Sequence, residues 1–387
     1  MKGTRHALIA DFVFDGTAVR RDAAVVLDGP EITAVLPSSE LPAAIPRRTL
    51  PDGAWLTPGF IDVQVNGGGD VLFNDNPTAE GIRTIAAAHR RFGTTALLPT
   101  LISDTPEKTN LAISAVSALV GSDPSILGIH LEGPFLSPEK PGVHSLQYIR
   151  APTSEDEQAL MRAIPGVKVL TLAPECVPQG FIGRLANAGF RICLGHSAAT
   201  YEETKTAMSE GLVGFTHLFN AMRPLASREP GPIAAAIESP DVWFGMIVDG
   251  VHVDPAMLRL ALRGEAVPML VTDAMSPVGG KDAFFRLHGE RITCEDGRCV
   301  RSDGALAGSS LDMASAVRNC VRLLGVPLES ALRFASLNPA SFLRIDHWLG
   351  RLAPGYRADI VAIDPARIEV GAVWIAGVDQ HAMNLQK

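Results

Sequence analysis

An alternation of strand-like and helix-like segments through the middle of the chain restricts the possible folds more than any other feature. Eight short apolar runs, each typical of a buried parallel strand, are separated mostly by helix-like segments. Strand followed by helix, repeated eight times over roughly 250 residues, is typical of a (β/α)8 TIM barrel in the α/β class. The predicted strands cover residues 60–66, 95–102, 125–133, 167–175, 191–197, 214–220, 243–252 and 269–275.

A doubly wound open sheet is the competing fold. That fold needs a glycine-rich phosphate turn after its first strand. Gly67, Gly68 and Gly69 follow the first predicted strand, but they lack the G-x-G-x-x-G spacing before a helix. The barrel is therefore favoured.

Capping residues mark the predicted helices. Asn76, with Pro77 in the first turn, predicts a helix that runs to Phe92 and stops at Gly93. Comparable start signals stand at Thr105-Pro106, Thr200 with Glu203, and Asp254-Pro255, and two further helices are predicted at residues 311–324 and 327–336.

The two ends of the chain predict short strands instead. Residues 7–13 and 23–27 are apolar runs separated by turn signals, and residues 358–363 and 370–375 have the same character. No helix is expected between these strands, so we expect the two ends to form one small β-sandwich domain. The predicted domains are a small β domain from residues 1–55 and 351–387 and a barrel at residues 56–350.

Charge and cysteine content narrow the functional classes. The chain of 387 residues is 47% hydrophobic and carries a net charge of −8, without a basic block. This argues against nucleic acid or an anionic membrane as the main partner. Five cysteines without a C-x-x-C motif, and an apolar run after Met1 too short for a signal peptide, indicate reduced thiols in the cytoplasm. Cys294 and Cys299 could be neighbours in a hairpin predicted around Glu295-Asp296-Gly297, but we expect no disulfide between them.

Polar residues at the predicted strand ends suggest the chemistry. Glu132 ends the third strand, His196 the fifth and His217 the sixth, and barrels carry catalytic groups at these ends. Three such ligands with an open water position are the usual catalytic zinc arrangement. Asp273, at the end of the eighth strand, is then the predicted general base beside the metal and its water.

Plainer interpretations exist for each of these residues. A lone histidine in a strand is more often a core residue. His196 and His217, however, both lie at the ends of predicted strands, as the carboxylate of Glu132 does. Asp273 could instead cap the segment that follows it. His130 lies two residues before Glu132 and points the same way along the strand, so we assign it a supporting or packing role.

Loops after the strands add further candidates. His144 lies in a loop after the third strand and could donate to a developing oxyanion. His252 follows the seventh strand. Asn220 and Ala221, with Arg228 further along the same loop, suit an anionic group such as phosphate.

These segments together resemble the N-acetylglucosamine-6-phosphate deacetylases of the amidohydrolase superfamily, over nearly the whole chain. The Pro-Gly-Phe-Ile-Asp segment alone would indicate only the superfamily. The matching segments are residues 58–67, 130–135, 194–197, 216–222, 228–231, 249–252, 271–274 and 306–310.

The resemblance implies one divalent metal ion per subunit, bound by Glu132, His196 and His217. Most of the superfamily carries His-x-His on the first strand for a second metal, whereas this chain has Gln64 and Asn66. Neutral amides are poor zinc ligands compared with imidazole. Zn2+ suits the Glu-His-His set, although Fe2+, Co2+ or Mn2+ could occupy it.

The resemblance also implies roles for the other residues. Asp273 would be the acid/base and His144 would contact the acyl oxygen. The sugar phosphate would be held by Asn220, Ala221, Arg228 and His252, and the sugar pocket would be lined by Val143, Leu306, Ala307 and Gly308. In this family the arginine is typically lent across a dimer interface, so a homodimer is implied.

The expected function is hydrolysis of a linear amide: removal of the N-acetyl group from N-acetylglucosamine 6-phosphate, giving glucosamine 6-phosphate and acetate. The residues do not fix the configuration at the fourth carbon of the sugar. N-acetylgalactosamine 6-phosphate or another N-acyl compound is therefore an alternative substrate. A catalytically inactive scaffold is a further alternative, against which the intact set of Glu132, His196, His217 and Asp273 argues.

Overall fold

The computed structural model describes residues 5–162, 164–295 and 297–380. The described residues fall into two units. One unit contains residues 5–62, 89–96 and 313–380, and the other contains residues 63–88 and 97–312 with the gaps just given. The domain boundaries at residues 55 and 350 stay a prediction.

Both chain ends contribute to the sheet of the first unit. Its strands follow the order β22-β21-β20-β5-β1-β2-β3, with β4 beside β1. The antiparallel pairing of Thr57 with Val361 joins the N-terminal and C-terminal strands, as expected. The strands are β1 (His6–Phe14), β2 (Val19–Asp28), β3 (Glu31–Pro37), β4 (Arg47–Thr49), β5 (Trp55–Pro58), β20 (Ile360–Asp364), β21 (Glu369–Ile375) and β22 (Val378–Asp379).

Apolar side chains cover both faces of β2. Val25 and Leu27 pack into a cluster with Trp374, whereas Ala24 and Val26 pack into a second cluster. Successive side chains of a strand point to opposite faces. The uninterrupted apolar run is therefore explained by burial on both sides, and the small β-sandwich is confirmed.

Eight parallel strands form the barrel sheet, in the order β15-β14-β13-β12-β11-β10-β9-β6. A parallel bridge between Val65 and Ala274 closes it, because the Asp273 N–H donates to Gln64 O (3.0 Å) and the Asn66 N–H donates to Ala274 O (2.9 Å). The predicted (β/α)8 barrel is confirmed. Its strands are β6 (Phe60–Val65), β9 (Thr94–Ile102), β10 (Gly128–Glu132), β11 (Val167–Leu172), β12 (Phe190–Leu194), β13 (Leu212–Phe215), β14 (Trp243–Met246) and β15 (Val267–Leu270), and a short ribbon of β7 (Gly67–Gly68) and β8 (Val71–Leu72) follows the first.

Three of the predicted capping residues are confirmed. Thr105 and Asp254 accept backbone N–H groups, and Thr200 forms a capping box with Glu203. The helices are α1 (Ala79–Arg90), α2 (Pro106–Ser117), α3 (Ser154–Leu160), α4 (Phe181–Asn187), α5 (Tyr201–Glu210), α6 (Gly231–Ile237), α7 (Pro255–Ala261), α8 (Met313–Leu324), α9 (Leu328–Ala335) and α10 (Leu337–Phe342).

Two helix predictions need correction. The first helix begins at Ala79, because Thr78 Oγ1 rather than Asn76 accepts the N–H of Gly81 (3.1 Å). Asn76 instead accepts the hydroxyl of Thr78 (2.8 Å). The sequence also missed α10, which follows α9 almost without a break. No helix of the described residues is long and apolar enough to cross a membrane.

An antiparallel sheet follows the last barrel strand. It contains β16 (Phe284–Leu287), β17 (Glu290–Glu295), β18 (Arg298–Val300) and β19 (Leu306–Ser309). The predicted hairpin is therefore present, but the expectation of free thiols there is wrong. Cys294 and Cys299 are directly opposite each other in the β17–β18 ladder and form a disulfide.

Candidate active site and metal centre

A cavity of about 150 Å³ lies at the carboxyl ends of the barrel strands. Loops after several strands and the strand β19 contribute to its wall. The lining residues are Asn66, Ile102, Glu132, Gly142, Val143, His144, His196, His217, Asn220, Ala221, His252, Asp273, Met275, Leu306 and Gly308. Most of the residues predicted from the sequence are therefore brought together in one pocket.

Glu132, His196 and His217 converge at the floor of this pocket. Glu132 Oε1 lies 3.2 Å from His196 Nε2 and 3.0 Å from His217 Nε2, and the two Nε2 atoms are 3.1 Å apart. The three side chains are buried. A carboxylate and two imidazoles with their ligand atoms this close could hold a metal ion.

The chemistry of these atoms fits a divalent cation. Two Nε2 atoms and one carboxylate oxygen face the same point, and ligands of a tetrahedral zinc at about 2.0–2.1 Å would be separated by roughly 3.3 Å. The Nδ1 of His196 lies 3.0 Å from Lys140 O. A proton on Nδ1 leaves Nε2 free as a ligand atom.

Electrostatics in the cluster favour a charged carboxylate. Burial raises the pKa of Glu132, but the hydrogen bonds with His196 and His217 outweigh burial and hold that pKa well below its ordinary value. For His217, burial lowers the pKa, but the bond to Glu132 leaves it raised overall. Glu132 is therefore ionised, as a carboxylate ligand of a cation must be.

The backbone at these positions is unusual. His196, His217 and Asp273 have φ angles of +49°, +32° and +51°. The left-handed region costs a residue with a side chain roughly 1–2 kcal/mol. Such strain often marks functional sites, and here it is found at three of the four strand ends predicted to carry the chemistry.

Asp273 lies beside the cluster and is held by amides. Asn66 Nδ2 donates to Asp273 Oδ1 at 2.6 Å, and Gln64 Nε2 donates to the same oxygen at 3.2 Å. Gln64 Nε2 also lies 3.2 Å from Glu132 Oε2. Burial and the Glu132 charge raise the pKa of Asp273 to about 6. A carboxyl group with such a pKa can both accept and donate a proton near neutral pH.

His144 faces the cluster from the loop after β10. Its Nδ1 accepts the Ser103 N–H at 3.2 Å, so the ring proton belongs on Nε2. Burial lowers the pKa of His144 well below its ordinary value. A neutral ring with a proton on Nε2 can donate a hydrogen bond, and its centroid lies 4.4 Å from that of His196.

Two supporting residues were missed by the sequence analysis. Ser103, directly after β9, fixes the tautomer of His144, and Asp249 Oδ2 lies 2.6 Å from His252 Nδ1. Both follow a barrel strand, so a search for every polar residue at a strand end would have found them. His130 is buried, with Nδ1 2.9 Å from Val63 O and Nε2 2.8 Å from Thr171 Oγ1, and it is not one of the candidate ligands.

The remaining predicted residues divide into three groups. Val143, Asn220, Ala221, Leu306 and Gly308 line the cavity. The fully buried Ala307 packs into the apolar cluster of the β16–β19 sheet. Arg228 is exposed and is not among the lining residues.

Gly142 shows how tightly this wall is built. Its φ is +54°, and a Cβ atom added there would lie 2.9 Å from His196 Cε1. A larger residue would push against a candidate ligand.

Comparisons with known proteins identify the family of the chain. Residues 55–384 match the amidohydrolase family. The chain is 43% identical to an N-acetylgalactosamine-6-phosphate deacetylase of Shewanella sp. (strain ANA-3), over 88% of this chain and 86% of that protein. It is 35% identical to an N-acetylglucosamine-6-phosphate deacetylase of Haemophilus influenzae, over 95% of this chain and 98% of that protein.

Solved structures give the same result. An N-acetylglucosamine-6-phosphate deacetylase from Pasteurella multocida superposes with a TM-score of 0.94 at 33% identity, covering 97% of this chain and 99% of that one. A mutant of the Mycobacterium smegmatis enzyme in complex with N-acetyl-D-glucosamine-6-phosphate has a TM-score of 0.90 at 35% identity, with 97% and 99% covered.

Proposed function

This chain belongs to the amidohydrolase family, and we propose that it removes the N-acetyl group of N-acetylglucosamine 6-phosphate, giving glucosamine 6-phosphate and acetate. The observation that carries the proposal is the convergence of Glu132, His196 and His217 within 3.0–3.2 Å, with Asp273 beside them. This pocket occurs in a chain 35% identical to a deacetylase of that name over almost its full length.

Glu132, His196 and His217 would hold one divalent ion, for which we propose Zn2+. Fe2+, Co2+ or Mn2+ would also be compatible with these ligands. When bound, such an ion supplies Lewis acidity, which polarises an amide carbonyl and lowers the pKa of water.

Asp273 is the proton carrier in this mechanism. Asn66 and Gln64 both bind its Oδ1, so Oδ2 is the oxygen proposed to accept the proton of the attacking water. The same carboxyl group then passes that proton to the nitrogen of the leaving amine. His144, with its proton on Nε2, donates to the acyl oxygen as negative charge develops there.

The sugar phosphate is assigned to the other side of the cavity. We propose that the Asn220 amide, the Ala221 N–H and His252 bind the phosphate, while Val143, Leu306 and Gly308 contact the sugar. The fully buried Ala307 supports this wall from the apolar cluster of the β16–β19 sheet. Arg228 is exposed in the single chain. A homodimer that brings Arg228 of a second copy to this pocket would complete the site.

N-acetylgalactosamine 6-phosphate is the second candidate substrate. The relative that is 43% identical to this chain is named an N-acetylgalactosamine-6-phosphate deacetylase. Sugar phosphates are charged and do not cross a membrane unaided. We therefore propose a cytoplasmic enzyme acting where such phosphates are made.

Acetate release with a metal determination on the same sample tests the proposal. The gluco and galacto 6-phosphates and unphosphorylated N-acetylglucosamine are compared, and Asp273→Asn serves as the control for contaminating activity. Phosphate-dependent release from the gluco isomer, with about one metal per chain, is expected. Preferential release from the galacto isomer would establish the alternative, and no release from metal-loaded protein would reject both.

A further inference from the structure

Glu175 follows the fourth barrel strand, which supplies none of the residues assigned above. Its carboxylate binds the segment directly after His196. Glu175 Oε2 accepts the hydroxyl of Ser197 at 2.8 Å, and Oε1 accepts the N–H of Ala198 at 2.6 Å. Both oxygens of one side chain therefore hold the two residues after a candidate metal ligand.

The same two residues are bound from the other side by the loop after β13. The Ser197 N–H donates to Ala221 O, and the Arg223 N–H donates to Ser197 O, both at 3.0 Å. Arg223 Nε also donates to Ala198 O at 2.7 Å. Glu175 is thus linked through Ser197 and Ala198 to the loop that carries Ala221 in the pocket wall.

His196 needs such restraint because its backbone is in the left-handed region, with φ at +49°. On its N-terminal side, the Gly195 N–H donates to Leu172 O (3.1 Å). The carbonyl of His196 accepts the Ser137 N–H (2.9 Å). After it, Glu175 supplies side-chain acceptors for both following residues. Removing Glu175 would remove two of the hydrogen bonds that hold the C-terminal side of His196, and it would leave the buried Ser197 hydroxyl without this acceptor.

We propose that Glu175 is a positioning residue, which fixes the direction of the His196 ring and the position of the Asn220–Ala221 segment. It acts through the backbone of Ser197 and Ala198 and touches neither substrate nor metal. The inference rests on the proposed function for its role in the reaction, but metal affinity can be measured without any substrate.

The hydrogen bonds predict how substitutions behave. Glu175→Gln can keep both contacts, since the amide oxygen accepts the Ala198 N–H and the amide nitrogen donates to Ser197 Oγ, which has free acceptor capacity. Glu175→Ala loses both contacts. A role in position therefore predicts rescue by glutamine, whereas a role of the negative charge predicts that glutamine fails like alanine.

The test is the Zn2+ dissociation constant, measured by competition with a chromogenic chelator. Glu175→Ala is expected to weaken binding by about 10-fold, as typically follows the loss of a residue that supports a metal ligand. Glu175→Gln is expected to stay within about threefold of the parent chain. KM for the phosphorylated sugar should rise with Glu175→Ala, because the Asn220–Ala221 segment loses part of its support.

Glu210→Ala is the matched control. Glu210 also binds a backbone N–H with both carboxylate oxygens, that of Gly180 at 3.2 and 3.1 Å, and it does not line the pocket. This variant should lower the melting temperature without changing Zn2+ affinity. Unchanged Zn2+ affinity in Glu175→Ala, or equal losses in the alanine and glutamine variants, would overturn the proposal.

Ser197→Ala keeps the test valid if Glu175→Ala fails to fold. It removes the hydroxyl contact with Glu175 and the contact of the same oxygen with the Ala199 N–H (3.0 Å), but it keeps the contact of Glu175 with the Ala198 N–H. A smaller loss of Zn2+ affinity is therefore expected. Where both variants fold, the Zn2+ affinity of the double variant should be little lower than that of Glu175→Ala alone. Such non-additivity is typical of residues in one network. Additive losses would contradict the route through Ser197. If the variants change Zn2+ affinity as expected but the parent chain releases no acetate, the proposed substrate is rejected and the positioning role is not.

Discussion

The floor of the pocket holds two buried carboxylates in different ways. Glu132 is surrounded by the imidazoles of His196 and His217, whose Nε2 atoms lie 3.0–3.2 Å from one oxygen. Asp273 is surrounded by the amides of Asn66 and Gln64, at 2.6 and 3.2 Å. We call the first group the imidazole half and the second the amide half.

The difference lies in what each partner can do. An imidazole nitrogen without a proton is a metal ligand, so the imidazole half can bind a cation. An amide nitrogen only donates hydrogen bonds, so the amide half can orient its carboxylate without a metal and leave it free to exchange protons. Two carboxylates at strand ends therefore have different functions, metal binding and proton exchange. The side chains around each carboxylate determine which function it has.

The largest expected effect is the loss of the imidazole half. Glu132→Gln removes the anionic ligand while keeping its size, so bound metal should fall well below one ion per chain and turnover by at least about 10^4-fold. Metal analysis and acetate release on the same sample measure both. Glu139→Gln, at an exposed position in the loop after β10, should leave both unchanged. Full metal content in Glu132→Gln would contradict the assignment.

A substitution in the amide half should lower turnover but leave the metal bound. Asp273→Asn removes the proposed proton carrier, so kcat should fall by about 10^2–10^4-fold, the usual worth of a general acid or base. The metal should remain bound, because Asp273 is not one of the three proposed ligands. A variant that lost its metal would show that the two halves are one metal site. Near-normal turnover would exclude Asp273 as the base.

The sequence predicted that Glu132, the two histidines and Asp273 lie at strand ends, but it did not predict that Gln64 and Asn66 bind Asp273. The apolar run before Glu132 and the Gly133-Pro134 turn after it indicate a buried strand with a carboxylate at its end, and the structure has this arrangement. The left-handed backbone of His196 is not visible in the sequence. It depends on hydrogen bonds from distant segments, such as the Ser137 N–H to the carbonyl of His196.

Contacts between loops explain most of what was missed. The Ser103 contact with His144 joins loops 41 positions apart in sequence, and the Glu175 contacts join loops 22 and 23 positions apart. Neither pair has a local signature. The disulfide of Cys294 and Cys299 was visible as a hairpin pair, but the cysteine count and the absence of C-x-x-C argued against it. Pairing across the β17–β18 ladder was the better guide.

A smaller effect should separate the roles within the amide half. Asn66→Ala removes the 2.6 Å hydrogen bond to Asp273 Oδ1. A hydrogen bond to a charged group contributes about 1.5–3 kcal/mol, so kcat should fall about 10- to 150-fold while metal content stays constant. Steady-state kinetics with metal analysis measures this.

Asn74→Ala is the control for loss of a buried amide. Asn74 donates to Asp104 Oδ2 at 3.1 Å, so it too holds a carboxylate, yet it does not line the pocket. The variant should lower the melting temperature and leave kcat nearly unchanged. If Asn66→Ala behaves in the same way, the amide half contributes stability rather than catalysis.

The smallest expected effect is a pH-dependent change in stability without metal. Burial and the Glu132 charge raise the pKa of Asp273 to about 6 in the folded chain, against about 3.9 for an unfolded aspartate. A raised carboxyl pKa contributes stability that is present below the unfolded value and is lost as pH rises through the folded value. Asp273→Asn should therefore raise the melting temperature of the metal-free protein by a few degrees at about pH 7.5, but by much less at about pH 4.5. Thermal unfolding in a chelator measures the difference. An equal difference at both pH values would mean that the amides already hold Asp273 ionised at low pH, and that the two halves differ less in charge than their donor atoms suggest.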